Sequence, residues 1–123
     1  MGMLWKPRTG SGLEGNEHML IEVVGRHLDI TDAIRQHAEG KTEKLTRFFD
    51  RILAVTWTIE HHSTSSGDSF RVELLIDVEH HEDLVSKDDG NDLYAVIDSV
   101  HHKGIRQLTD LHDKVKVQKR QAH

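Results

Sequence analysis

Histidine is the most conspicuous chemically able residue in this 123-residue chain, with 11 copies and three adjacent pairs, His61-His62, His80-His81 and His101-His102. Imidazoles in such numbers raise metal binding and general acid–base catalysis as chemistries to weigh. The spacing argues against a metal. Neighbours on a strand point to opposite faces and neighbours on a helix diverge by about 100°, whereas two ligands on one helix face stand three or four residues apart. The first two pairs also fall at opposite ends of one predicted strand, about 30 Å apart if ten residues rise roughly 3.3 Å each. We therefore expect solvated strand-end histidines, with no metal and no cofactor. Asp98, Ser99 and His102 supply an acid, a hydroxyl and a base close together, but no Gly-rich phosphate loop or nucleophile elbow accompanies them, and no enzyme is expected. A third set has simpler chemistry. Lys103, Arg106 and Lys114 recur at helical spacing with Asp110 among them, a row that either solvates a helix face or meets the phosphates of a polyanion.

The element that must carry this row is the stretch from Asn91 to Val117. Leu93, Ile97, Val100, Leu108, Leu111 and Val115, with Gly104 in register, step at three and four residues, which is the period of one buried helix face. Asp92 can cap its start, and the single proline lies far upstream, so some seven turns are allowed. Tyr94 stands at the border of the apolar row and is expected to pack into the core.

The net charge of −5 argues against a generic nucleic-acid binder until charge is counted by segment. From Thr31 to Arg51 the cations are Arg35, Lys41, Lys44, Arg47 and Arg51, one more than the acids, and from Asp92 to Arg120 the cations again exceed the acids. Between Ile52 and Asn91 nine acids face only Arg71 and Lys87. If the two helical stretches share one side, the molecule is a dipole with a mildly basic helical face. Cysteine is absent, which excludes disulfides and thiolate metal sites. No apolar run reaches membrane-spanning length and the first residues lack a signal-peptide core, so a cytoplasmic protein without membrane contact is expected.

In chain order, residues 1–18 are Gly-rich and aperiodic and read as a disordered tag or extension, with a natural start at Met19. Met19 to Val24 reads as a short strand closed by Gly25. Asp29 or Thr31 caps a helix whose buried side is Ile34, Ala38, Leu45, Phe48 and Phe49, with Lys44 and Arg51 on its flank. Leu53, Val55, Trp57 and Ile59 mark one face of a strand, Ser63 to Asp68 its turn, and Phe70, Val72, Leu74, Ile76 and Val78 the strongest strand. A weaker strand spans Asp83 to Lys87. The expected fold class is α+β, β-α-β-β-β-α: a four-stranded mixed sheet with two helices packed on one face, the other face exposed and acidic. One domain covers 19–118, and 119–123 form a short basic tail.

The run Asp92-Leu93-Tyr94-Ala95-Val96-Ile97-Asp98, followed by Lys103 and Arg106-Gln107-Leu108, resembles the signature helix of the ribosome hibernation promoting factor family, also called ribosome-associated inhibitor or protein Y. Gly25, Asp29-Ile30-Thr31, Lys41, Lys44-Leu45 and Phe49-Asp50-Arg51-Ile52 are similar to that family's first strand and helix, and the resemblance runs from Met19 to Lys116. It implies a fold similar to a double-stranded RNA-binding domain, docked in the decoding region of the small ribosomal subunit, in the path of messenger and transfer RNA. Partners would be the small subunit and its ribosomal RNA. The site residues carried over are Lys41, Lys44 and Arg51 in the first helix and Lys103, Arg106, Lys114 and Lys116 in the second, with Arg26, Arg47 and Lys119 as lesser candidates. Asp110 and His112 stand where many members carry a lysine-rich continuation, which implies lower ribosome affinity. Long-form members add a dimerising domain; this chain resembles the short form, a monomer off the ribosome that relies on a separate factor if ribosomes are paired. A regulator of the sigma-factor modulator type, contacting a protein through the acidic sheet face, is the competing reading.

Overall fold

The computed structural model describes residues 19–121, with side chains as far as Lys116. The expectations for residues 1–18, and for the side chain of Lys119, lie outside the described residues. The order is β1 (Leu20–Arg26), α1 (Asp32–Leu45), β2 (Ile52–Thr64), β3 (Gly67–Val78), β4 (Leu84–Gly90) and α2 (Leu93–Gln121). The strands lie side by side in that order, with β1 parallel to β2 and the other pairs antiparallel. This is the mixed sheet the alternation predicts, and both helices pack on one face of it.

Period-2 alternation builds the core. Ile21 and Val23 of β1, Val55, Trp57 and Ile59 of β2, and Val72, Leu74, Ile76 and Val78 of β3 are all buried on the helix side. Leu53 departs from the expected alternation. A bulge between Ile52 and Ala54 shifts the register, so Ile52 takes the buried position and Leu53 is left 46% exposed. β1 does not end at Gly25 either. It runs through to Arg26, and a Cβ on Gly25 would stand only 2.3 Å from the Leu28 carbonyl oxygen. The β2–β3 turn is tighter than predicted, with Ser65 and Ser66 as its two central residues and Gly67 at φ 126, a left-handed value that favours glycine.

Thr31, not Asp29, caps α1: its hydroxyl accepts from the Ile34 N–H. Ile34, Ala38, Thr42 and Leu45 form the buried stripe, and Glu39 is buried beside it. The helix stops at Leu45, where the Arg47 and Phe48 N–H groups fold back onto the Lys44 and Leu45 carbonyls. Phe48 and Phe49 therefore leave the helical phase: Phe48 is exposed, while Phe49 reaches the core only in part.

α2 begins after Asp92, whose side chain accepts from the Ala95 N–H. Its buried face contains the predicted Leu93, Ile97, Val100 and Leu108, and also Val96 and His101. Gly104 marks the crossing point on the sheet, since an added Cβ would sit 2.9 Å from Leu74 Cδ2. No helix among the described residues is long and apolar enough to cross a membrane.

Candidate nucleic-acid interface

The β-α-β crossover and the final helix place α1 and α2 in contact on the same sheet face, so the cations of both sequence stretches end up on one side of the molecule. They are not equivalent. Lys44, Arg106 and Lys114 are exposed and make no ion pair among the described residues. The other candidates are partly committed to the fold.

Lys41 sits in the seam between the helices, its Nζ 3.3 Å from Asp98 Oδ1, which also accepts from His37 Nε2 at 2.8 Å. Burial alone would raise the Asp98 carboxyl, but the hydrogen bonds and charges of His37 and Lys41 outweigh it and hold that carboxyl below the usual range. The Tyr94 ring stands edge-on to His37 at 5.0 Å between centroids and is 41% exposed. The expectation that Tyr94 enters the core is therefore corrected. The helical period carries it toward α1 and away from the sheet.

His101 is the buried group of this seam, 3% exposed, with neither ring nitrogen hydrogen-bonded. Desolvation, reinforced by the positive charges of Lys41 and Lys44, pushes its pKa down to about 4, so it is neutral near pH 7.

On the opposite flank of α2, Lys103 Nζ donates to the Lys87 carbonyl at 3.0 Å and lies 3.7 Å from Asp88 Oδ2, while Gln107 Nε2 donates to the Val85 carbonyl at 2.9 Å. One helical turn apart, these two side chains satisfy successive outward carbonyls of the edge strand β4. Asp88 also accepts from Ser99 Oγ and the Asp89 N–H, which hold its carboxyl low. Asp98, Ser99 and His102 thus do not converge: Asp98 serves α1, Ser99 serves β4, and His102 turns back to the Asp98 carbonyl.

Arg51 is not in the first helix. It lies between α1 and β2, where its Nη1 donates to Glu79 Oε1 at 2.9 Å, a bond that raises the guanidinium and lowers the carboxyl. Lys116 lines a cleft with Arg51 at the far end of α2, and Arg47 is exposed in the turn after α1. Arg26 is on the wrong side. It stands on the outer sheet face in a row with Glu60, Arg71 and Asp89. That face carries Glu22, Glu73 and Asp77 as well, so it is net acidic, as the charge split predicts. Among the described residues no group of three His, Asp or Glu side chains is placed to hold a metal ion.

Residues 21–116 match the model of the family described as Sigma 54 modulation protein / S30EA ribosomal protein. The chain is 31% identical over 100 residues to the ribosome hibernation promoting factor of Escherichia coli (strain K12), covering 80% of this chain and 98% of that protein. It is 31% identical over 104 residues to the factor of the same name from Azotobacter vinelandii, covering 85% of this chain and 92% of the relative. The fold is similar to the crystal structure of the Thermus thermophilus Protein Y N-terminal domain, with a TM-score of 0.63 at 28% identity over 73% of this chain and 94% of that one, and to a ribosomal subunit interface protein from Coxiella burnetii, with a TM-score of 0.67 at 19% identity over 76% of this chain and 97% of that one.

Proposed function

The chain belongs to the Sigma 54 modulation protein / S30EA ribosomal protein family, and from that premise we propose that it is a ribosome-binding hibernation factor. It docks in the decoding region of the small subunit, bars messenger and transfer RNA, and acts in the cytoplasm without catalysis or cofactor. The observation that carries this reading is the packing of α1 and α2 on one face of the sheet, with Lys44 and Arg106 exposed and making no ion pair among the described residues and Lys114 exposed on the β4 flank of α2. Cations on two packed helices follow phosphates and 2′-hydroxyls without reading bases. Lys41, Lys103 and Arg51 play mixed roles, since each already has a carboxylate partner, and Lys116 extends the surface past the end of the sheet.

The test is co-sedimentation with small ribosomal subunits over a range of salt. Binding should weaken with salt, and Lys44→Ala and Arg106→Ala should each flatten the log–log slope by nearly one unit, by analogy with about 0.9 per phosphate on duplex DNA. Unchanged binding by both variants refutes the docking surface. A protein partner on the acidic outer face is the second reading, favoured by the apolar Leu20 and Val85 exposed there, and it predicts loss of partner binding on changing Leu20 and Val85 instead.

A further inference from the structure

Tyr94, the single tyrosine of the chain, holds its ring at the surface of the α1–α2 seam, 41% exposed. The facing helix carries a second anomaly. Gly40 stands exposed in the middle of α1 with nothing within 4 Å of the position a Cβ would take, so no packing among the described residues calls for a residue that weakens a helix. We infer that these two features form one site: the Tyr94 ring stacks on an unpaired nucleobase of RNA, and the bare backbone at Gly40 lets the adjoining ribose-phosphate chain lie close against α1 on its way to Lys44.

The ring is fixed in place. His37 meets it at 5.0 Å between centroids and 81°, and a neighbour at right angles covers at most one face of the phenol. His37 is itself tied through Nε2 to Asp98 Oδ1 at 2.8 Å, and Lys41 Nζ stands 3.3 Å from the same oxygen. These contacts join both helices, so the ring has its orientation before RNA arrives, which lowers the ordering cost of binding. A base stacks on such a face whatever its identity, in keeping with a surface that follows RNA without reading its sequence.

Gly40 comes three residues after His37 and four before Lys44, so the three share one stripe of α1. Glycine allows a ligand backbone to approach more closely than any other residue does. Charge is not what holds the RNA at the Tyr94 end, because Asp98 already offsets Lys41. Lys44, one turn beyond Gly40, is exposed and makes no ion pair among the described residues. Stacking therefore supplies the hold at one end of the stripe, and a cation meets phosphate at the other.

This rests on the ribosomal-RNA reading, and co-sedimentation with small subunits separates the two. A wild-type protein that does not bind refutes both, whereas wild-type binding that Tyr94→Ala leaves unchanged overturns this inference alone. Tyr94→Ala should weaken binding on the order of tenfold while the slope of log affinity against log salt stays the same, because a stacked base releases no counterion. Tyr94→Phe keeps the ring and should bind as the wild type does. Gly40→Leu should raise the Tm, since leucine is the better helix former and nothing stands within 4 Å of its Cβ, and should still weaken subunit binding. Thermal unfolding is followed for each variant, and if Tyr94→Ala melts below the temperature of the assay, Gly40→Leu decides alone. A Tyr94→Phe variant as weak as Tyr94→Ala, a flatter salt slope for Tyr94→Ala, or wild-type binding by Gly40→Leu overturns the inference.

Discussion

Trp57 Nε1 donates to Thr42 Oγ1 at 2.8 Å, joining the centre of β2 to the underside of α1 with both residues fully buried. The Thr42 hydroxyl in turn donates a hydrogen bond to the Ala38 carbonyl at 2.9 Å, so indole, hydroxyl and helix backbone are satisfied in series. A helix interior threonine is otherwise a poor choice; here it is the partner of a buried indole. Thr42→Val keeps the shape and removes the acceptor. It should cost about 1–3 kcal/mol in urea unfolding, the penalty of an orphaned buried donor, while Thr42→Ser should recover most of it.

His101 should make stability fall with acid. The unfolded imidazole takes up its proton near the ordinary 6.5 and the folded one only near 4, so between those values the unfolded chain binds more protons. Stability is therefore full above pH 6.5 and declines as pH drops toward 4, by up to about 3 kcal/mol at 1.36 kcal/mol per pH unit. His101→Leu should abolish this part of the slope in urea titrations at pH 7 and pH 5, and should not destabilise at pH 7.

Lys103 and Arg106 should separate in the salt series. Lys103→Met removes a donor from the β4 edge and should cost about 1 kcal/mol of stability. It should flatten the ribosome-binding salt slope by less than Arg106→Ala does, because Asp88 already offsets its charge.

Gly104→Ala should destabilise by about 1–3 kcal/mol as overpacking against Leu74, Ile76 and Leu45. The loss is read as a lower Tm, with ribosome affinity unchanged at temperatures where the variant is folded.

Asp110 stands with Gln107 and Lys114 on the flank of α2 that faces Asp83. Asp110→Lys changes the local charge by two units, each worth roughly 0.7 kcal/mol about 6 Å from a phosphate in water. Small-subunit binding should tighten on the order of tenfold at low salt, and the gain should shrink as salt rises. Equal affinity would turn that flank of α2 away from the RNA.

The strand order, both helices and most of the core were legible in the sequence because period 2 and period 3.6 are written in single residues and their neighbours. Val55, Trp57 and Ile59, or Ile97, Val100 and Leu108, declare their face without reference to the rest of the chain. Element ends were less legible, because a bulge at Leu53 and the stop of α1 at Leu45 depend on what the flanking segments pack against. The cation row shows the limit most clearly. Spacing along α2 places Lys103, Arg106 and Lys114 near one another, but only the folded chain brings Asp88 to Lys103, Asp98 to Lys41 and Glu79 to Arg51 while Arg106 makes no ion pair among the described residues. Local periodicity fixes which way a side chain points; its partner is set by contacts between segments far apart in sequence, and those exist only once the helices lie on the sheet.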